Sequence, residues 1–552
     1  MLELHDVEYV FGLCGDTSLP FYDALGRLDH GIRHVLCRDE RSAGYMADAY
    51  ARVSGKVGVC EGPSGGGATY VIPGLAEANE SSIPLLSITT DISVSSRGRY
   101  TLTELDQEAL FRPVTKWSKV LDRAVDLPRV IRAAFTHMTT GRPGAAHVGV
   151  PFDVQTDVVD AEDVWADHTM GCFPSRRVAP DPRAVSVAAD LIVAAHRPVF
   201  VCGGGVVISG AEAELEALVE RVGAAVATTI SGRGSISDHH PLAVGVVGSN
   251  GGTAETRAVI EAADVVIFVG CRAGSVTTER WRFPARRACR IIHIDVDPTV
   301  IGTNYRTDAA VVGDARLCLA ALNAACDQLD IHADAREAME RLVDKAKASK
   351  FASFRQLAAA DELPIRPERL VAELQAVLPQ DAIVIADAGT PCPYFSAYYL
   401  QAGTGRRFIS NRAHGALGYG LAAAAGACLG RPGAKCISVM GDGSFGFTAG
   451  ELETVMRYKL PITLVVVSNS SFGWIKAGQK TKYQGRYFSV DFERSDHARI
   501  ASAFGLKAWT VVEPSALRPA LDAAVNQAGP TLVDVISQPL HEARAPVSEW
   551  IA

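Results

Sequence analysis

An aspartate set between glycines and an asparagine downstream are the residues of this chain whose spacing points most directly to chemistry. Gly441-Asp442-Gly443-Ser444 follows the apolar run AKCISVM, and a second apolar run, ITLVVVS, ends at Asn469. Between them, TAGELETVMRYKLP is expected to form an amphipathic helix stopped by Pro461. Strand, Gly-Asp-Gly, helix, strand and Asn place a carboxylate and an amide at neighbouring strand ends, the ligand edge of a parallel sheet. One carboxylate, one amide oxygen and one backbone carbonyl suit Mg2+, a hard octahedral cation that fills its shell with phosphate oxygens and water. The flanking glycines let backbone N–H groups approach a diphosphate. Taken singly, Gly-Asp-Gly is a tight turn and Asn469 a strand-end cap. Their pairing at this spacing is the specific signal.

A second acidic element lies far upstream, in HVLCRDERSAGYMADAYAR, where Asp39 and Glu40 sit between an expected strand and an expected helix ending at Gly55. Two readings are open on this segment alone: a functional carboxylate at the strand end, or an acidic cap on a helix beginning near Ser42.

Short β-branched runs alternate with helical patterns along the whole chain, which predicts an α/β protein of three consecutive doubly wound parallel-sheet domains. We place the first at residues 1–160, with strands in VEYVFGLCG, HVLCRDE, KVGVCEG, PLLSITT and AAHVGVP. A proline- and acid-rich linker covers 161–182. The central domain, 183–330, has a dinucleotide-fold look, with strands in RPVFVCGGGVV, ADVVIFVGCR and CRIIHIDVD. Its Gly203-Gly204-Gly205 is an incomplete G-x-G-x-x-G and reads as packing ahead of cofactor binding. A charged connector spans 331–365, and the third domain, 366–552, has strands in AIVIADAG, RFISN, AKCISVMGDG and ITLVVVSN. The apolar stretch ALGYGLAAAAGACLG is too short and too glycine-rich to span a bilayer, and predicts a buried, closely packed helix.

With these residues in place, the chain resembles, over nearly its whole length, the thiamine-diphosphate enzymes that include acetohydroxyacid (acetolactate) synthase, pyruvate oxidase, benzaldehyde lyase and oxalyl-CoA decarboxylase. The domain order of that family is pyrimidine-binding, central and diphosphate-binding. The resemblance implies thiamine diphosphate and Mg2+ as cofactors, with the metal on Asp442, Asn469 and the Ser471 carbonyl. It implies Glu40 as the carboxylate that bonds N1′ of the aminopyrimidine, favours its imino form and so yields the ylide. NRAHGALGYG resembles the segment that bends the cofactor, with Leu417 as the wedge and the Gly415 carbonyl receiving the 4′-amino group. DAGTPC resembles a diphosphate loop, with Gly389 and Thr390 as contacts. Gly441, Gly443, Ser444, Phe472 and Gly473 complete the implied cofactor-binding set.

The reaction implied is C–C bond lysis or carboligation on a 2-keto acid, as in acetolactate synthases. Asp16, in GDTSLPFYDAL, stands where those synthases usually have glycine, and Gln107, in the Asp-Gln pair of TELDQEALFRPVTKW, is expected to face the substrate. That pair and FGFTAGELETVMRY support a second reading, a 2-hydroxyacyl-CoA lyase or oxalyl-CoA decarboxylase. A third, of another class, is an inert nucleotide-binding regulator on the same fold. GCRAGSV replaces the Arg-rich run of the synthases, so FAD or ADP in the central domain rests on Arg272, which serves equally as a structural ion pair. The resemblance further implies a homodimer or homotetramer with active sites at the subunit interface. The chain has less helix before VEYVFG than the family pattern, which predicts a missing N-terminal segment.

The formal charge of -8 includes no basic tract, which argues against nucleic-acid or anionic-membrane partners. The 12 cysteines are scattered without a C-x-x-C pair, as expected of a reducing cytoplasm. MLELHDVEYVFG lacks a basic start and apolar run, so no secretory leader is expected.

Overall fold

The computed structural model describes residues 1–327 and 335–550; the expected boundary at 330–331, the first part of the connector through Asp334, and the limit at 552 lie outside the described residues. Among the described residues there are three six-stranded parallel sheets. The first holds β1 (Tyr9–Gly12), β2 (Arg33–Leu36), β3 (Gly58–Gly62), β4 (Leu85–Asp91), β5 (Trp117–Val120) and β6 (Ala146–Pro151) in the order β2-β1-β3-β4-β6-β5. The second holds β7 (Pro198–Cys202), β8 (Ala225–Thr228), β9 (Ala243–Val246), β10 (Val265–Val269), β11 (Arg290–Asp295) and β12 (Ala309–Val312) in the order β12-β11-β10-β7-β8-β9. The third holds β13 (Ile383–Ala386), β14 (Phe408–Ile409), β15 (Cys436–Gly441), β16 (Ile462–Ser468), β17 (Lys507–Val511) and β18 (Thr531–Ile536) in the order β14-β13-β15-β16-β18-β17. The near-continuous β-branched runs of β4, β10 and β16 are buried throughout, as strands covered by helices on both faces must be.

In each sheet the order reverses beside its first strand, opening a crevice at the carboxyl edge: β1/β3, β7/β10 and β13/β15. The central sheet has the dinucleotide-fold order, yet its crevice is closed by backbone. A Cβ on Gly203 would lie 2.1 Å from the Gly270 carbonyl oxygen, and one on Gly205 would lie 2.7 Å from the Gly270 Cα. These glycines let the loops after β7 and β10 touch, in keeping with a packing role.

The described residues form two compact units, one of Met1–Arg176, Asn411–Cys436 and Ser444–Ile462, the other of Arg177–Ser410, Ile437–Gly443 and Thr463–Ala552. The first unit therefore joins the first sheet to helices from late in the chain. The helix Tyr419–Gly430 is the buried one expected from its composition, and it lies along the helix Glu40–Ser54. A Cβ on Gly426 would sit 2.1 Å from the Met46 carbonyl oxygen, and the Tyr45 and Tyr419 rings meet edge-on at 5.2 Å. Among the described residues no helix is long and apolar enough to cross a membrane.

Candidate active site

The third sheet gathers the residues after β13, β15 and β16 at one edge. Asp442 follows β15 directly and is buried, where a strand-end aspartate would ordinarily be solvated. Its Oδ2 accepts the backbone N–H groups of Asn469 (2.8 Å) and Ser470 (2.6 Å), and its Oδ1 accepts that of Gly443 (2.8 Å). Burial raises the Asp442 pKa, and the three N–H donors oppose that rise. A carboxylate offers about four acceptor sites, so one lone pair remains on Oδ1 for a cation. The Asn469 Oδ1 accepts the Ser471 hydroxyl at 3.2 Å, and the Ser471 carbonyl accepts the Gly473 N–H at 2.9 Å; each keeps a second lone pair. Oxygen donors of this kind suit Mg2+.

Open space lies at two glycines of the same loops. Added Cβ atoms at Gly389 and Gly441 would meet nothing within 4 Å, and Gly389 has φ +103°. A Cβ on Gly443 would strike the Phe472 ring at 2.8 Å, and one on Gly473 would lie 3.6 Å from the Thr390 hydroxyl. Gly389, Thr390, Gly441, Asp442, Gly443, Asn469, Ser471, Phe472 and Gly473 thus occur together in the second unit. The helix expected after the Gly-Asp-Gly turn starts at Asp442 and is interrupted: Asp442–Thr448, a short 3-10 turn, then Leu452–Arg457.

Asp16, Glu40, Gln107, Gly415, Leu417 and Ser444 belong to the first unit. The two acids after β2 divide the readings left open by sequence. Asp39 is the helix cap, accepting the Arg41 N–H at 2.8 Å and pairing with the Arg41 guanidinium, while Glu40 is the first helical residue and only 7 % exposed. Burial pushes the Glu40 pKa up, opposed by its own backbone N–H. Glu451 fixes the turn that presents it, accepting the Arg38 N–H at 2.8 Å and the Thr454 hydroxyl at 2.7 Å.

Gly415 (φ +74°) and half-buried Leu417 lie in a loop held from below by Glu77. That carboxylate accepts the His414 N–H at 2.8 Å, with the Ala413 and Gly415 N–H groups at 3.4 Å, and pairs with Arg52 at 3.1 Å. Arg52 also pairs with Asp48 at 2.8 Å, and Asp48 receives the Tyr419 hydroxyl at 2.6 Å. The Ser444 hydroxyl accepts the Gly418 N–H at 2.7 Å. Removing one partner leaves a buried charge, so Glu77→Ala is expected to lose about 3–5 kcal/mol in urea unfolding, with Glu77→Gln losing less.

Asp16 is exposed and its carboxylate accepts the Thr17 N–H at 2.9 Å. Thr17 bonds Ser64 and Thr90 across the ends of β1, β3 and β4. Gln107 lies inside, 1 % exposed, its Oε1 accepting the Thr89 hydroxyl at 2.5 Å and its Nε2 donating to the Thr90 carbonyl at 2.8 Å. Asp106 caps the helix Gln107–Phe111. The Asp-Gln pair is therefore engaged within the first unit.

Glu61, Glu77 and Glu451 were not singled out by sequence. Glu61 carried a legible signal, a glutamate inside the apolar strand GVCEG. Glu77 and Glu451 lie on helices where charge is ordinary, and only the fold shows them buried. A separate group, Glu216, Glu220 and His240, brings oxygen and nitrogen atoms together in the central region. There His240 Nδ1 accepts the Leu242 N–H, which leaves the ring proton on Nε2, facing Glu220 at 3.4 Å: a hydrogen bond, not a ligand set.

This chain belongs to the thiamine pyrophosphate enzyme family. The family's N-terminal TPP binding domain matches residues 1–110, its central domain 185–322 and its C-terminal TPP binding domain 387–535. Within the family the chain is similar to acetolactate synthases. It is 35% identical to the probable acetolactate synthase large subunit of Methanococcus aeolicus over 98% of this chain and 91% of that one. Its counterpart in Methanocaldococcus jannaschii is 36% identical, over 98% and 90%. The acetolactate synthase isozyme 3 large subunit of Escherichia coli (strain K12) is 32% identical, over 94% and 90%.

Proposed function

We propose that this chain is an acetolactate-synthase-like carboligase and lyase that acts on a 2-keto acid with thiamine diphosphate and Mg2+. The observation that carries the reading is the buried Asp442 carboxylate, which ties the Asn469–Ser470 backbone to the end of β15 and keeps one lone pair for a cation. Asp442, Asn469 and the Ser471 carbonyl would hold the metal. Gly389, Thr390, Gly441, Gly443, Ser444, Phe472 and Gly473 would surround the diphosphate, and Gly415 and Leu417 the pyrimidine and its bend. When bound, the cofactor supplies a thiazolium carbon acid that becomes a nucleophile toward carbonyls.

Glu40 has the setting that activation requires. A carboxyl shielded from water, with a raised pKa, holds or releases a proton at a ring nitrogen with little cost. Asp16, on the exposed turn beside Thr17, would act on polar groups of the substrate. Gln107, with both ends of its amide engaged, would act by positioning Thr89 and Thr90. The acyl-CoA reading draws on FGFTAGELETVMRY and on Asp106 and Gln107; the use of that pair within the fold puts the 2-keto acid reading in front. FAD or ADP in the central domain, tied to Arg272, is not part of this proposal.

The reading is tested by incubating the Mg2+- and thiamine diphosphate-loaded protein with pyruvate, other 2-keto acids and acyl-CoA thioesters while following CO2, aldehyde and ligated product. Release of CO2 with a C–C ligated product from a 2-keto acid is expected. Turnover confined to thioesters would reject it.

We also propose that the site is shared between two chains, as the family resemblance implies, with Glu40 supplied by one and Asp442 by the other. Glu40→Ala and Asp442→Ala should each be inactive alone. Co-expressed, about half the dimers would be mixed, each with one intact site, returning roughly a quarter of wild-type activity. Isolation of the mixed dimer by two affinity tags allows a direct assay, and an inactive mixed dimer that retains cofactor would exclude shared sites.

A further inference from the structure

We propose that Glu61 is a second acid of the first unit whose charge biases the protonation of Glu40 and whose own proton exchanges with solvent through Tyr22 and His34. The inference rests on Glu40 being the activating carboxylate.

Glu61 sits near the end of β3, beside the β1/β3 crevice, and is fully buried. Its Oε2 accepts the Tyr22 hydroxyl at 2.7 Å, and the same hydroxyl lies 3.0 Å from the Nε2 of half-exposed His34. Tyr22 comes from the helix Leu19–Arg27 and His34 from β2, so three elements build the chain of contacts. Gly12, the β1 partner of Glu61, makes the room: a Cβ there would be 2.9 Å from Glu61 Oε2 and 3.1 Å from the Tyr22 oxygen. The other oxygen, Oε1, is buried with no hydrogen-bond partner. A buried acceptor left open in this way is costly, and a proton on the carboxyl removes the charge.

The glycine turn after β3 runs from Glu61 to the side of Glu40. A Cβ on Gly67 would lie 3.1 Å from Glu40 Oε1, and one on Gly62, next to Glu61, would lie 3.0 Å from the Gly67 carbonyl oxygen. The titratable groups facing Glu61 are Glu40, Tyr22 and the Cys14 and Cys60 thiols. Burial, with the Glu40 charge adding to it, pushes Glu61 up to about 7, while burial lowers His34 to about 4. The proton therefore rests on Glu61. In the transfer, the His34 Nε2–H bond breaks as a bond to the Tyr22 oxygen forms, and the Tyr22 O–H breaks as Glu61 Oε2–H forms. His34 ends neutral, Tyr22 unchanged and Glu61 protonated, and water reprotonates His34. A neutral Glu61 lets Glu40 keep its charge, and an ionised Glu61, by like-charge repulsion, favours the protonated form of Glu40.

Glu61→Gln keeps the shape, and two measurements without cofactor come first. Infrared difference spectra should show a protonated carboxyl that fades near pH 7 in wild type, is absent in Glu61→Gln, and shifts to lower pH in Glu40→Gln. A raised folded-state pKa gives stability that is full below the unfolded value and lost as pH rises through the folded one. Glu61→Gln should thus melt higher than wild type above pH 7 and similarly at pH 4. With thiamine diphosphate and Mg2+ bound, hydrogen–deuterium exchange at the thiazolium carbon should change near pH 7 in wild type. Glu61→Gln should lose that limb and roughly tenfold in rate. Tyr22→Phe should slow exchange until imidazole buffer is added. A Glu61 that titrates as an ordinary carboxyl, or an exchange profile in Glu61→Gln that overlays wild type, would overturn the proposal. Unchanged exchange in Glu40→Gln would instead reject the role of Glu40, whatever the infrared titration shows.

Discussion

Asp442→Ala is expected to lose Mg2+-dependent binding of thiamine diphosphate, by about a hundredfold or more in Kd measured by calorimetric titration. Two effects combine. The substitution removes the one carboxylate of the oxygen set, and it orphans the N–H groups of Gly443, Asn469 and Ser470, so the loop bearing Asn469 and Ser471 loosens as well. Lost acceptors for buried donors cost about 1–3 kcal/mol, which should appear as a lower melting temperature of the cofactor-free protein. Asp442→Asn separates the two. It retains an acceptor for part of the N–H set and should melt closer to wild type, yet without the negative charge it should still bind the cofactor poorly. Near-wild-type affinity in both variants would reject Asp442 as a ligand.

Glu40→Gln is expected to keep the cofactor affinity within a few fold and to slow proton exchange at the thiazolium carbon by about 10²–10⁴. The amide matches the carboxyl in shape but cannot gain and lose a proton at the pyrimidine nitrogen. Glu40 also begins the helix Glu40–Ser54, so a structural role must be distinguished. The cap is Asp39, not Glu40, and burial of the Glu40 carboxyl costs stability instead of supplying it. Glu40→Gln should therefore melt at or above the wild-type temperature while exchanging slowly. NMR after acid quench reads the exchange, and an unchanged rate would remove Glu40 from catalysis.

The strands and the family were legible because burial on both faces writes long apolar runs, and because Gly441-Asp442-Gly443 and Asn469 must stand at two such strand ends. Glu40 was legible only with that motif beside it, since Asp39-Glu40 before a helix satisfies capping equally well. The structure separates them by burial, which no local pattern records. Short strands such as β5, β8, β9, β12 and β17 escaped the reading: four or five residues flanked by helices leave little periodicity. Gln107 reads from sequence as substrate-facing; the structure adds that its amide bonds Thr89 and Thr90 in the interior, a partnership across the fold that spacing does not reveal. Glu77 and Glu451 need the fold for the same reason, as their partners lie on other elements, whereas Glu61 is marked in the sequence by its place inside the apolar strand GVCEG.

The division of the first unit into three stretches of chain bears on its biogenesis. The helix Glu40–Ser54 is covered by Tyr419–Gly430, a segment that the ribosome delivers several hundred residues later. At synthesis rates of about 5–20 residues per second, the wait is some tens of seconds. Throughout it, Tyr45, Met46 and Asp48 lack the partners that Tyr419 and Gly426 supply. The nascent chain thus carries an uncovered helix face and a water-exposed ion pair through most of its own translation, a surface of the kind that exposes a chain to aggregation.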